Sequence, residues 1–174
     1  PPALSSYSRL TVTPNPPVIR AGGVHPPLLP TVTYEYIPFD ALVIGEGELP
    51  LTALLKGEPL NQIKGVFLPN QDKPVAADFI KDLDSLPFPE WDLLDKEYYA
   101  QPSYLISYTQ LNRVMPLTFS RGCNYRCNFC AHSCFLSARC HSPEYFAEMM
   151  KWTSKQCNVS SFLIQDSSVG NFKQ

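Results

Sequence analysis

The sequence lacks several features that would place it in a well-defined class of protein. None of its apolar runs approaches the roughly 20 residues that a membrane-spanning helix needs, and no signal peptide is visible at the amino terminus. The formal net charge is −2, whereas a generic nucleic-acid-binding surface would be basic. These absences predict a soluble, cytoplasmic protein with no membrane span and no nucleic-acid partner.

Cysteine is missing from the first 122 residues, although the chain of 174 residues contains six. Four of the six fall between Cys123 and Cys140. Because a disulfide framework would distribute its bridges along the chain, this clustering argues against one. The chain also starts at Pro1 without an initiator Met and stops abruptly after SSVGNFKQ, so we expect a fragment of a longer protein.

Proline is abundant in the first hundred positions and predicts many loops there. Between the loops, residues 18–21 and 41–44 read as short buried strands, and residues 49–56 read as a helix that ends at Gly57. This order is typical of the edge of an α/β layer. The stretch IKGVFLPNQDKPVA predicts a small hairpin, and DLDSLPFPEWDLLDKEYY predicts a connector that packs on a surface.

The carboxy-terminal third has a clearer pattern of strand, loop, helix and strand. Residues 113–120 predict the first strand, and VSSFLIQD predicts the second, which ends at Asp166. The helix between them is expected to start with Ser142 as its cap and Pro143 at its first position. Its predicted apolar stripe consists of Phe146, Met149, Met150 and Thr153. Such a unit implies a parallel sheet or barrel, in which the loop after the first strand and Asp166 share one face.

Cys123, Cys127 and Cys130 form a C-x3-C-x2-C pattern in a polar loop directly after the first of these strands. Closely spaced cysteine thiolates hold iron–sulfur clusters, and three ligands on a four-iron cluster leave one iron open to another ligand. The alternatives are disulfides or a zinc site with His132 or Cys134 as the fourth ligand. Cys134 would also close a cluster and restrict it to electron transfer. The other cysteines are interpreted as spare or buried thiols: Cys134, Cys140 and Cys157.

The stretch SRGCNYRCNFC, with the apolar strand before it and SPE opening the helix after it, closely resembles the radical S-adenosylmethionine (SAM) superfamily. The resemblance implies a 4Fe–4S cluster on Cys123, Cys127 and Cys130, with SAM bound to the fourth iron. It also implies that an external one-electron donor, such as flavodoxin or ferredoxin, drives the cleavage of SAM to methionine and a 5′-deoxyadenosyl radical. That radical would abstract hydrogen from a small-molecule substrate, which the sequence does not identify.

The same resemblance implies further contacts with SAM. The backbone near Phe129 would lie by the adenine, and Asp166 occupies the region where family members contact the methionine moiety. Arg139 and Arg121 are candidate SAM contacts. For the two arginines the alternative is a solvated or paired charge, and for Asp166 it is a turn residue at a strand end.

The amino-terminal half resembles part of the cobalamin-binding domain found in one radical SAM subgroup. VIRAGGVHP and FDALVIGEGELPLTALL match the back half of that domain, and LPFPEWDLL matches the connector after it. Gly22 and Gly23 would let the backbone approach the cofactor, since no Cβ intrudes. The given sequence does not contain the subgroup's Asp-x-His-x-x-Gly stretch, and His25 is interpreted as a loop residue. Cobalamin binding by this chain alone is therefore in doubt.

The resemblance predicts three parts in an α/β chain. Residues 1–60 would be the carboxy-terminal part of a Rossmann-like cobalamin-binding domain, 61–110 a hairpin and connector, and 111–174 the start of a partial (β/α) barrel. The implied function is a radical SAM enzyme that performs cobalamin-dependent methyl transfer or another radical modification. The alternative is a four-cysteine zinc-binding or electron-transfer module. One β-loop-α-β unit cannot enclose a substrate, so we expect this chain to be incomplete as an enzyme.

Overall fold

The structure is a computed structural model that describes residues 20–22, 28–36, 39–100, 113–130 and 138–167. The chain divides into two compact units, Pro1–Ile80 and Lys81–Gln174. The two units are described separately below. In the described part of the chain, no helix is both long enough and apolar enough to cross a membrane.

Among its described residues, the first unit has a three-stranded sheet, the two α-helices named below and a 3-10 turn at Leu60–Gln62. Its strands are β1 (Arg20–Ala21), β2 (Ala41–Val43) and β3 (Val66–Phe67), and its helices are α1 (Pro30–Tyr36) and α2 (Glu48–Leu55). Strand β2 lies in the middle, parallel to β1 and antiparallel to β3. All of β2 is buried, as expected for a continuous apolar run in a central strand. The β1-α1-β2 order confirms the α/β character predicted for this half.

Strand β3 is not part of the hairpin predicted for residues 63–76. It pairs with β2, and the chain after it forms no strand up to Ile80. Instead, the Ala77 amide donates a hydrogen bond to the Ile44 carbonyl at 2.8 Å, so this segment returns to the end of β2. Pro74 lacks an amide proton and could not contribute a donor to the second strand of such a hairpin.

The described residues of the second unit form a parallel strand pair, a short antiparallel ladder and a long helix. Its strands are β4 (Val114–Leu117), β5 (Ser120–Arg121), β6 (Arg139–Cys140) and β7 (Ser161–Ile164). Its helices are α3 (Lys96–Tyr99) and α4 (Pro143–Cys157), with 3-10 turns at Leu83–Ser85 and Trp91–Leu93. Strand β4 pairs in parallel with β7, and β5 pairs antiparallel with β6. The predicted β-loop-α-β unit is therefore confirmed, although its first strand divides into β4 and β5.

Helix α4 begins and ends where the sequence signals indicate. The Ser142 hydroxyl accepts a hydrogen bond from the Tyr145 amide at 3.1 Å, and Pro143 occupies the first helical position. The helix stops at Asn158, which adopts a left-handed conformation with φ of 50°. Of the predicted stripe, Met149 and Thr153 are buried and the other two members are half-buried.

The connector packs against the elements of the second unit, as predicted. One core cluster contains residues from the connector, from β4 and from the end of α4: Trp91, Ala100, Met115, Leu117, Cys157 and Val159. The Trp91 indole Nε1 also donates to the Thr153 hydroxyl at 3.0 Å in a buried hydrogen bond. Since a buried indole needs an acceptor, this contact fixes the connector on α4.

Candidate metal centre

The cysteine loop, defined as residues 122–138, starts just beyond the carboxyl end of β4 and connects β5 to β6. Cys127 is exposed, Cys123 and Cys130 are half-buried, and none of the three is in a disulfide. The Cys130 amide donates to the Cys127 carbonyl at 3.0 Å, which places these two residues in one turn. The three thiols therefore lie in one accessible loop at the carboxyl end of a parallel strand.

The donor chemistry of the loop suits an iron–sulfur cluster. Three free thiols at close spacing are the ligands that such clusters take, and the loop's backbone amides can donate to sulfur. Within the described ranges, no three His, Cys, Asp or Glu side chains are grouped so that they could hold a metal ion. The fit of a cluster to this loop therefore depends on the thiol donors and on the spacing of the three cysteines in the sequence. Residues 131–137, which include His132 and Cys134, lie outside the described part of the chain.

Asp166 lies just after β7, and its carboxylate binds the segment that enters the cysteine loop. Oδ1 accepts hydrogen bonds from the Phe119 amide at 2.9 Å and the Ser120 amide at 3.1 Å. Oδ2 accepts from the Ser120 hydroxyl at 2.8 Å. The predicted proximity of Asp166 to the cysteine loop is thus confirmed, while its predicted contact with SAM stays a prediction.

Asp84, which sequence reasoning missed, binds the segment that leaves the loop. Its carboxylate accepts from the Ser142 amide at 3.1 and 3.2 Å and lies 3.0 Å from His141 Nδ1. The His141 ring is 8% exposed and stacks on Tyr145 with centroids 4.8 Å apart. Asp84 and His141 are 57 residues apart in sequence, so no local pattern could have revealed this contact.

These contacts also set the acidity of Asp84. Desolvation opposes its ionisation, but the hydrogen bonds from Ser142 and His141 outweigh that effect, and the pKa of the Asp84 carboxyl lies below its ordinary value. A lowered folded-state pKa stabilises the fold above the unfolded-state pKa of about 4, and this stabilisation is lost as the pH falls through the folded-state pKa.

Asp84→Asn is therefore expected to lower the free energy of unfolding of the second unit at neutral pH and to weaken its loss on acidification. Urea titrations followed by tryptophan fluorescence, from neutral pH to about pH 3, measure both effects. Asp92→Asn is the control, because Asp92 is exposed and pairs with Lys96 on the surface. Equal acid sensitivity in the wild type and in Asp84→Asn would contradict this account.

The other predicted site residues occupy different environments. Phe129 is 93% exposed, and Arg139 pairs with Arg121 across the β5–β6 ladder. Gly22 is exposed in the first unit, where an added Cβ would meet the Val43 Cβ at 3.7 Å, an ordinary contact. The protein atoms around position 22 would therefore tolerate a Cβ in this structure. Gly23 and His25 fall outside the described residues.

Comparisons with known proteins identify relatives of this sequence and fold. No protein-family model matches the chain. The chain is 30% identical over 167 residues to the anaerobic magnesium-protoporphyrin IX monomethyl ester cyclase of Rubrivivax gelatinosus, a match that covers 87% of this chain and 29% of the cyclase.

Two solved structures share the mixed α/β fold. One is the cobalamin-dependent S-adenosylmethionine radical enzyme OxsB, with a TM-score of 0.68 and 23% identity over 95% of this chain and 23% of that chain. The other is the radical SAM methyltransferase TsrM from Kitasatospora setae, with a TM-score of 0.61 and 18% identity over 94% of this chain and 33% of that chain.

The chain spans about a third or less of the length of each of these proteins. All three are enzymes, and both solved structures contain cobalamin. OxsB also has SAM bound, and TsrM has a 4Fe–4S cluster. The chain is thus similar in sequence to a cyclase, and similar in fold to two radical SAM enzymes whose structures contain cobalamin.

Proposed function

We propose that this chain is the cofactor-binding part of a radical SAM enzyme in which Cys123, Cys127 and Cys130 bind a 4Fe–4S cluster. Bound to these cysteines, such a cluster would supply one electron, taken from an external donor such as flavodoxin or ferredoxin, for the reductive cleavage of SAM to methionine and a 5′-deoxyadenosyl radical. The observation that carries this proposal is the set of three cysteines, none of them in a disulfide, in one loop at the carboxyl end of β4.

The residues of the loop have distinct roles in this proposal. The three cysteines bind metal as thiolates, and the hydrogen bond from the Cys130 amide to the Cys127 carbonyl holds two of them in one turn. Phe129 offers an exposed ring beside the third cysteine, a suitable surface for a planar base such as adenine. Arg139, at the far end of the loop, carries the charge that a carboxylate of SAM would need.

For the whole protein we propose methyl transfer or another radical modification of a small-molecule substrate. TsrM, a methyltransferase with cobalamin bound, supports this finer assignment. Gly22 and Gly23 stay the residues proposed to let the backbone approach cobalamin.

The test is anaerobic reconstitution of the 174-residue chain with ferrous iron and sulfide, followed by dithionite and SAM. We expect a brown protein with close to four irons per chain that forms 5′-deoxyadenosine, measured by mass spectrometry. A colourless form that contains zinc would contradict the proposal. An iron-loaded form that makes no 5′-deoxyadenosine would contradict it as well, because a closed electron-transfer cluster gives that result.

A further inference from the structure

The two strand segments that flank the cysteine loop are each held by a carboxylate that comes from outside the loop. Asp166, after β7, binds the Phe119 and Ser120 amides and the Ser120 hydroxyl at the entry. Asp84, from the connector, binds the Ser142 amide and His141 at the exit. These two carboxylates are called the carboxylate bracket.

At the entry, the hydrogen-bonding oxygens of Asp166 are already engaged within the protein. Oδ1 accepts from the Phe119 and Ser120 amides, Oδ2 accepts from the Ser120 hydroxyl, and Ser120 itself is only 2% exposed. Hydrogen bonds to an ionised acceptor are stronger than neutral ones, and their loss would leave a buried hydroxyl and two amides without this partner. Asp166 therefore fixes the backbone three residues before Cys123.

The β5–β6 ladder alone is too short to hold the two sides of the cysteine loop firmly together. It consists of the register pairs Ser120–Cys140 and Arg121–Arg139. Beyond these pairs, the His141 amide donates to the Phe119 carbonyl, and the Ala138 amide donates to Asn124 Oδ1 at 3.4 Å. An isolated two-stranded ladder is marginally stable at best, and two like charges directly opposite each other weaken it. The bracket anchors both strands of this ladder at its outer end, Asp166 where β5 begins and Asp84 just after β6.

We propose that the carboxylate bracket preorganises the cysteine loop, and that Asp166 is a positioning residue that acts on Cys123 through Ser120 instead of a ligand of SAM. A loop whose ends are fixed before the metal binds loses less conformational entropy when the metal orders it. The proposal rests on the proposed function only for the identity of the metal, because the bracket consists entirely of hydrogen bonds within the protein.

A comparison of Asp166→Ala with Asp166→Asn separates the effect of losing the hydrogen bonds from the effect of losing the negative charge. The asparagine retains an Oδ1 that can accept from both amides, and its amide group can donate to the Ser120 hydroxyl, whereas alanine removes every acceptor. Asp84→Ala removes the carboxylate that accepts from the Ser142 amide, and so tests the other half of the bracket. The matched control is Asp92→Ala, since Asp92 lies in the same unit and pairs only with a surface lysine in the described contacts.

The first measurement is residue-resolved amide hydrogen exchange on the metal-free chain. Asp166→Ala is expected to speed exchange of the Phe119 and Ser120 amides by about tenfold, with little change in Asp166→Asn or in the control. Asp84→Ala is expected to have the same effect at Ser142. Unchanged exchange at these amides in both alanine variants would overturn the bracket. If Asp166→Ala unfolds the unit, Ser120→Ala tests the same contact through the hydroxyl.

The second measurement is iron per chain after reconstitution, together with the affinity for SAM. We expect Asp166→Ala to load less iron and Asp166→Asn to load as much as the wild type, with unchanged SAM affinity. Normal iron loading in both variants with a loss of SAM affinity would overturn the positioning role and make Asp166 a SAM ligand. A wild-type chain that takes up no iron would defeat the proposed function, while the exchange measurement would still decide the bracket.

Discussion

Cys127→Ala is expected to abolish incorporation of a four-iron cluster during anaerobic reconstitution. Three thiols are the proposed ligands, and the turn between Cys127 and Cys130 places two of them together, so the loss of one leaves too few sulfurs to hold the cluster. Iron and acid-labile sulfide per chain should fall from close to four to near background. Both are measured on protein handled without oxygen, alongside the absorption of the cluster.

The matched control for this variant is Cys140→Ala. Cys140 is also a free, exposed thiol of the second unit, but it lies in β6 and not in the C-x3-C-x2-C pattern. Its replacement should leave iron loading unchanged. Full loading in Cys127→Ala, or an equal loss in both variants, would show that the ligand set has been assigned incorrectly.

Gly65→Ala is expected to destabilise the first unit by about 2–4 kcal/mol, the sum of backbone strain and overpacking. Gly65 has φ of +91°, and a Cβ there would lie 2.6 Å from the Ala77 Cβ and 3.0 Å from its backbone nitrogen. The Ala77 amide is held by the Ile44 carbonyl, so the backbone of Ala77 cannot shift without breaking that hydrogen bond. The loss should appear as faster native-state amide exchange in β2.

Gly57→Ala introduces backbone strain without overpacking, and so separates these two contributions to the loss of stability. Gly57 has a similar φ of +81°, but nothing lies within 4 Å of the position its Cβ would take. We expect a loss of about 1–2 kcal/mol from backbone strain alone. Because Trp91 and Trp152 both lie in the second unit, tryptophan fluorescence can verify that neither glycine variant changes that unit. Equal losses in the two variants would contradict the steric role of Ala77.

Local signals in the sequence predicted much of the second unit. The cap at Ser142, the proline at the first helical position and the apolar stripe define α4, because each acts within a few residues of its partner. The parallel pairing of β4 with β7 follows from the helix between them, since a parallel connection needs such a crossover. The cysteine spacing is also local and identified the candidate ligands directly.

Contacts between distant residues could not be predicted in this way. The partner of β3 depends on whether β2 or the following segment offers the better edge, and a short apolar run does not encode that choice. The Asp84 contact with His141 joins the connector to the exit of the cysteine loop across 57 residues. The sequence indicates that Asp166 could be a turn residue at the end of a strand. Its hydrogen bonds to Ser120, however, depend on the register of β4 and β7.

The central claim is that three cysteine ligands leave one iron of the cluster open to SAM. Electron paramagnetic resonance of the reconstituted, reduced chain, recorded with and without SAM, tests this claim most directly. A change in the spectrum of the cluster on addition of SAM is the predicted result, since a new ligand alters the environment of the open iron. A four-iron cluster whose spectrum SAM leaves unchanged would contradict it and indicate a fully ligated cluster.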